Sequence, residues 1–239
     1  MAFSKGEVNR AGDVIAKRIR DADKGRPLTA ADEIAQLAAA IEVIDWWRSE
    51  HARPLTLVAA NLRYYVAEVG DPVVAQRLKR LPTIAEKMVR EPKMKLARMG
   101  DIGGVRAVVP SQSAAYHVAR RLRKNWTITR FSDYVANPKP DGYRALHLIN
   151  RHRGRLIEIQ LRTRLQDNWA NIVEVFSRTV APGLKYGDGP SRPRQMLIDL
   201  AFAYAEIDAG EPSFDSADAK IHEIQAWVDS LKEKIRNES

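Results

Sequence analysis

Apolar positions at helical spacing fill the first third of the chain. Val8, Ala11, Ile15 and Ile19 predict one amphipathic helix. Leu37, Ala40, Ile41 and Ile44 predict a second, with Thr29 as its cap and Asp32 three residues on. Asp71 and Pro72 suit the cap and first turn of a further helix, and Pro82 followed by Thr83 suggests that it stops there and another starts. Beyond Gly100 the runs GVRAVV, WTITRF, ALHLIN and LIEIQL read as strands, with a helix from about Ser111 to Lys124 between the first two. Helical spacing returns from Leu165 to Val180, from Gln195 to Ile207, and after Ser216, where Ile221, Ile224, Trp227, Val228 and Leu231 recur. Pro182, Gly183, Gly187, Gly189 and Pro190 punctuate the loop between the first two of these. The order predicts an α/β chain of the α+β kind, a mixed β-sheet flanked by helices. The expected divisions are an N-terminal helical layer over residues 1–70, a core over 71–185 and acidic C-terminal helices over 186–239.

One strand departs from what burial requires. In RLIEIQLRT, alternation puts Ile157, Ile159 and Leu161 on one face and Glu158, Gln160 and Arg162 on the other. A strand in a helix-covered sheet is ordinarily apolar on both faces, so the polar triplet implies a face that lines a cleft. A half-exposed edge strand would give the same alternation.

Composition narrows the partners. The 239 residues carry a net charge of +9, unevenly spread. Met196 to Ser239 holds ten acidic and four basic residues, a net of −6, which leaves +15 on the first 195. Gln76 to Arg106 alone holds nine basic and three acidic residues. A field of that sign attracts polyanions such as nucleoside triphosphates or RNA. The absence of cysteine excludes disulfides and cysteine-ligated zinc. No apolar run approaches the roughly 20 residues of a spanning helix, so no membrane association and a cytoplasmic location are expected.

Several segments could carry chemistry. DIGGVRAVV supplies a second carboxylate, Asp101, before a strand, with Gly103 and Gly104 permitting close backbone approach and Arg106 beyond. Mg²⁺ is commonly held by one or two carboxylates and the substrate's own phosphates, although an Asp before two glycines is also a frequent turn residue. RLKRLPTIAEK sets Arg77, Lys79, Thr83 and Lys87 across a helix end, where guanidinium forks and compact ammonium charges can hold a triphosphate. There is no GxxxxGK[ST] loop, so side chains must hold any nucleotide. NPKPDGYRALH reads as a loop entering a strand. In it Tyr143 could stack on a base, while Lys139, Arg144 and His147 could reach phosphates or a hydroxyl. Trp46, Trp47 and Trp169 are assigned to packing.

In order and spacing these segments resemble the synthetase domain of the RelA/SpoT family over about residues 35 to 180. The family's basic segment R-x-K-x-x-x-S-I-x-x-K falls on Arg77, Lys79, Thr83 and Lys87, with Thr in place of Ser. DI[AG]GVR falls on Asp101 to Arg106, PKxxGY on Pro138 to Tyr143, and the E[IV]Q[IL]R[TS] strand begins at Glu158. The resemblance implies a nucleotidyltransferase-like synthetase fold that moves pyrophosphate from ATP to a 3′-hydroxyl. It implies Arg77, Lys79, Thr83, Lys87 and Arg106 on ATP, and Asp101 and Glu158 as catalytic residues and Mg²⁺ ligands. On the acceptor side it implies Tyr143, joined by Lys139, Arg144, His147, Gln160 and Arg162.

Two positions depart from the alarmone-making members. Ser132 stands where they usually carry Lys before Asp-Tyr, and Glu174 stands near a His often found there. Both lie on the acceptor side. The opening SKGEVNRAG and the stretch VIDWWRSEHARPL are similar to a subgroup of small toxic synthetases, often phage- or prophage-borne, several of which pyrophosphorylate the 3′-CCA end of tRNA. That implies a translation-inhibiting toxin with a role in phage defence, and GDP or GTP is the alternative acceptor. The family's hydrolase half relies on an adjacent His-Asp pair, and none occurs here, so synthesis without hydrolysis is expected. Unopposed synthesis would need an antitoxin or other inhibitory partner, or the acidic tail, to restrain it; a homo-oligomer is compatible with all of this. The rival from another class is a non-catalytic RNA-binding module, against which the two carboxylates facing phosphates argue.

Overall fold

The computed structural model describes residues 2–179 and 191–210 and short stretches between 218 and 230. Three helices open the chain: α1 (Lys5–Asp23), α2 (Ala31–Ser49) and α3 (Ala52–Ala67). β1 (Val73–Leu78), α4 (Leu81–Arg90) and a 3-10 turn at Leu96–Arg98 follow, then β2 (Gly103–Val109), α5 (Gln112–Asn125) and β3 (Ile128–Asp133). β4 (Leu146–His152), β5 (Arg155–Thr163), α6 (Arg164–Thr179) and α7 (Ser191–Ala209) come last. Among the described residues no helix is long and apolar enough to cross a membrane.

The strands form the expected mixed sheet, in the order β1-β2-β5-β4-β3. β2 and β5 run parallel at its centre and the other neighbours are antiparallel. One face is apolar: Val105, Ala107, Val109, Leu148, Ile157, Ile159 and Leu161 pack against α3 and α5 through Leu55, Leu62, Val118 and Leu122. α1, α2 and α4 build a second hydrophobic cluster, and α6 and α7 a third. The other face of the sheet carries the alternate, polar residues.

Local chemistry accounts for the helix starts. Ser4 and Glu7 form a reciprocal capping box at α1. Thr163 and Gln166 do the same at α6, each backbone N–H bonding the other's side chain at 3.1 and 3.2 Å. α2 starts on Ala30 without a side-chain cap rather than on Thr29, and its Ile41 faces solvent while Ala40, Ile44 and Trp47 are buried.

The segment after Asp71 is a strand and not the helix that Asp71 and Pro72 suggest. Val74 and Leu78 reach the sheet core, and the run pairs antiparallel with β2. Pairing with β2 satisfies the inward-facing backbone groups of this β-branched segment and buries Val74 and Leu78, which outweighs a local cap signal. The basic segment is therefore a strand end followed by a helix start. Of the predicted C-terminal helix, Ile221 and Trp227 pack on the α6–α7 cluster, Trp227 stacking on Phe176 at 5.8 Å. Ile224, Val228, Leu231 and the Pro182–Pro190 loop lie outside the described residues.

Candidate active site

Strand pairing assembles the polar face. Gly104 on β2 lies between Arg77 on β1 and Glu158 on β5; one step along, Arg106 lies between Ala75 and Gln160. Gln160 is opposite His147, and His147 is opposite Ser132. Residues paired across strands share a face, so the cations of β1 and β2 and the polar triplet of β5 line one surface. Gly104 leaves a gap in it: a Cβ built there would meet nothing within 4 Å.

Asp101 stands at one end of this surface, just before β2. Lys79 Nζ donates to its Oδ2 at 2.9 Å and Lys87 Nζ to its Oδ1 at 3.0 Å. Burial works to raise the Asp101 pKa, but the two ammonium groups outweigh it and hold the carboxyl below its ordinary value. Lys79 is itself fixed through its backbone: its N–H donates to Ile102 O at 2.8 Å and its carbonyl accepts from Arg48 Nε at 2.8 Å. Lys87 and Thr83 sit on one turn and the next of α4, and Arg77 is exposed on β1.

Glu158 anchors the other end. Its Oε1 is 3.0 Å from His147 Nδ1 and its Oε2 accepts from Gln160 Nε2 at 2.7 Å. His147 Nε2 is 2.6 Å from the Tyr143 hydroxyl, which accepts from Arg162 Nη2 at 2.9 Å; the same Nη2 donates to Gln160 Oε1 at 2.7 Å. The five side chains close a ring. With His147 protonated on Nδ1, every bond has one donor and one acceptor, and both branches run from Arg162 to the carboxylate. Burial alone would raise the Glu158 pKa, but the bonds from His147 and Gln160 and the charge of Lys87 bring it down to about 2. Burial raises the Tyr143 pKa despite the nearby Arg162 charge, which keeps the phenol proton available to His147.

The sequence-predicted residues divide by what they touch. Glu158, His147, Tyr143, Gln160 and Arg162 are brought together in the ring; Asp101, Lys79 and Lys87 form the ion cluster. Lys139 lies over the rings of Tyr134 and Tyr143, its Nζ 4.8 and 4.9 Å from their centroids. A base reaching that side of Tyr143 must displace it. Arg144 turns away, its Nη1 donating to Ala201 O at 3.2 Å and to Gly142 O at 3.3 Å. Glu174 pairs with Arg178 on α6.

One residue of this cluster escapes a reading of the sequence. Asp167, in the first turn of α6, forms an ion pair with Arg106, Nη1 to Oδ1 at 3.0 Å, and accepts a hydrogen bond from Arg162 Nη1 at 3.2 Å. It thus ties a cation of the Asp101 side to the ring on the Glu158 side. An acidic residue in the first turn of a predicted helix is a local signal, but neither arginine partner could be named without the fold.

Among the described residues no group of three or more His, Asp or Glu could hold a metal. Asp101 lies near enough to Glu158 to feel its charge, and both carboxylates feel that of Lys87. This donor set suits a Mg²⁺ that arrives on nucleotide phosphates and keeps its waters, not a resident ion in a protein cage.

A mixed sheet with one polar face, lined by two carboxylates and a band of cations, is the architecture of a nucleotide-binding synthetase domain. Residues 76–176 match the model of the region found in RelA/SpoT proteins. The GTP pyrophosphokinase YwaC of Bacillus subtilis is 34% identical over 111 residues, 40% of this chain and 53% of that protein. An uncharacterized protein of Mycobacterium tuberculosis is 29% identical over 161 residues, 65% of this chain and 57% of its own length. The chain thus spans a little over half of these curated relatives. The crystal structure of small alarmone synthetase 2 from Bacillus subtilis superposes with a TM-score of 0.56 at 26% identity, covering 70% of this chain and 95% of that one. A GTP pyrophosphokinase family protein from Streptococcus pneumoniae shares the fold, with a TM-score of 0.61 at 23% identity over 74% of this chain and 95% of that one.

Proposed function

We propose that the protein transfers the β,γ-pyrophosphate of ATP to the 3′-hydroxyl at the CCA end of tRNA, releasing AMP. The observation that carries this reading is the division of the polar face. Cations gather around Asp101 at the β1–α4 edge, and the closed ring holds Glu158 at the β4–β5 side. One half suits a triphosphate and the other a hydroxyl.

ATP phosphates compete with Asp101 for Lys79 and Lys87, and Arg77 and Arg106 flank the gap at Gly104. Asp101 and Glu158 would hold a Mg²⁺ carried in with the nucleotide, whose charge neutralises the phosphate oxygens. The acceptor oxygen bonds to the β-phosphorus while the bond from that phosphorus to the bridging oxygen of AMP breaks, leaving its electron pair on AMP, and the hydroxyl proton passes to water. A carboxyl held at about 2 is a weak base, far from the value that suits early proton removal. A loose transition state asks little of a base. Glu158 therefore orients the hydroxyl and stands as a permanent anion. A carboxylate has about four acceptor positions, so the ring leaves room for that bond.

The net +15 on the first 195 residues and Ser132 in place of a cation beside His147 support tRNA. GDP or GTP is the second reading, supported by the likeness to YwaC, a GTP pyrophosphokinase. Incubation with Mg²⁺ and γ-labelled ATP, with deacylated tRNA, GDP and GTP offered separately, tests both. Label on tRNA supports the first and label on a guanine nucleotide the second. Label on neither overturns the enzyme and favours an RNA-binding module.

A further inference from the structure

The partners of α7 lie on α6, at Thr163 on the end of β5 and on the 138–144 loop. Leu197, Ala201, Tyr204 and Asp208 fall three or four residues apart and form one stripe of the helix. Each position of the stripe meets its own polar partner. Trp169 Nε1 donates to Leu197 O at 2.7 Å and Arg144 Nη1 to Ala201 O at 3.2 Å. Asn168 Nδ2 donates to the Tyr204 hydroxyl at 2.8 Å and Thr163 Oγ1 to the Asp208 carboxylate at 2.6 Å. Carbonyls in the middle of a helix already accept one bond from the next turn, so Leu197 and Ala201 use their second lone pair. Such a zipper fixes the register of α7 on its seat in a way that apolar packing alone does not.

Contact is closest at Ala201. Gly142 has φ +90°, and a Cβ built on it would lie 2.6 Å from Ala201 Cβ. The guanidinium of Arg144 sits 5.2 Å above the Phe202 ring. Between Gly142 and Arg144 stands Tyr143, whose ring also rests on Trp169 at 6.2 Å. Both neighbours of Tyr143 are thus held by α7, and its ring is held by the tryptophan that α7 caps.

We infer that α7 is the outer wall of the acceptor site: through Ala201 and Arg144 it positions the loop that carries Tyr143, and so sets affinity for the acceptor while leaving ATP binding unchanged. The inference rests on assigning that loop to the acceptor. Arg144 is on this view a positioning residue and not a phosphate contact. The segment from Met196 onward, expected to be a removable restraint, begins with a structural wall. Met196, Leu197, Leu200, Ala201 and Tyr204 are buried against Trp169, Val173 and Phe176. Cutting at Met196 would uncover that cluster and take activity away.

The test is steady-state transfer by the full chain, with ATP and acceptor varied in turn, for wild type, Arg144→Gln and Ala201→Val, together with thermal melting. Deacylated tRNA, GDP and GTP serve as acceptors. Arg144→Gln keeps the fold and raises KM for whichever acceptor the wild type uses about tenfold, as expected when one charged hydrogen bond no longer orders the loop. KM for ATP stays within about twofold, a shift too small to count as lost binding. Ala201→Val, which pushes on Gly142, does the same or more; if it fails to fold, Arg144→Gln decides alone. Equal rises in both KM values, or none, overturn the role of α7 while the proposed reaction stands. No transfer by the wild type to any acceptor overturns both.

Discussion

Replacing Glu158 by Gln puts a donor where the ring has room only for an acceptor. Glu158 accepts at both oxygens, from His147 and from Gln160. A glutamine accepts at one and donates at the other, so its amide meets either the His147 Nδ1–H or the Gln160 amide. Turning Gln160 relieves the clash but points its own amide at Arg162 Nη2, which has just lost its acceptor. However the ring rearranges, one donor in a mostly buried site goes unpaired, at a cost of about 1–3 kcal/mol.

The charge adds a dependence on pH. Lowering the carboxyl from 4.5 to about 2 corresponds to roughly 3 kcal/mol of stability at neutral pH. Because the folded-state value is depressed, this stabilisation is present above the unfolded value and is lost as pH falls towards 2. About 1 kcal/mol of it has gone by pH 3.5. Urea unfolding of wild type and Glu158→Gln at pH 7 and pH 3.5 isolates the effect, since every other carboxylate is common to both. The stability gap between them should narrow by about 1 kcal/mol at the lower pH. A gap that is the same at both pH values would refute the argument that His147 and Gln160 hold Glu158 as an anion.

Gly104→Ala puts a Cβ into open space between Arg77 and Glu158 with no atom within 4 Å, so melting is unchanged and KM for ATP rises at least about threefold; unchanged ATP kinetics would show that the gap is not where nucleotide lies. Asp167→Asn frees Arg106 and the buried Arg162, destabilises the fold by about 1–3 kcal/mol and weakens both ATP and acceptor. Loss of only one of the two affinities in steady-state kinetics would break the proposed link. Gly142→Ala suffers both a positive φ and a clash with Ala201, and denaturant unfolding should show a loss of at least about 1–3 kcal/mol from the backbone strain alone.

Much of this was legible in the sequence because it depends on local spacing. The alternation in RLIEIQLRT placed Glu158, Gln160 and Arg162 on one face, and β5 shows that face opposite the apolar core. The helical repeats of α1, α5, α6 and α7 come from apolar stripes that any amphipathic helix must bury. The inventory of two carboxylates and many cations needed no fold to be recognised. β1 was missed because pairing with a free sheet edge, not its own cap signal, decides its conformation.

What the sequence by itself determined is which residues can do chemistry and which side of their element they occupy. Only the tertiary structure decided whom they meet. Lys79 and Lys87 reach Asp101 because β1 and α4 fold back on β2; Arg144 looks like a phosphate contact until α7 takes its guanidinium; Asp167 is an ordinary helix-start acid until two strands bring it Arg106 and Arg162. The physical reason is that a side chain's face follows from a backbone period of two or 3.6 residues. Its partner, and with it the balance of burial against charge that sets a pKa, comes from segments far away in the chain.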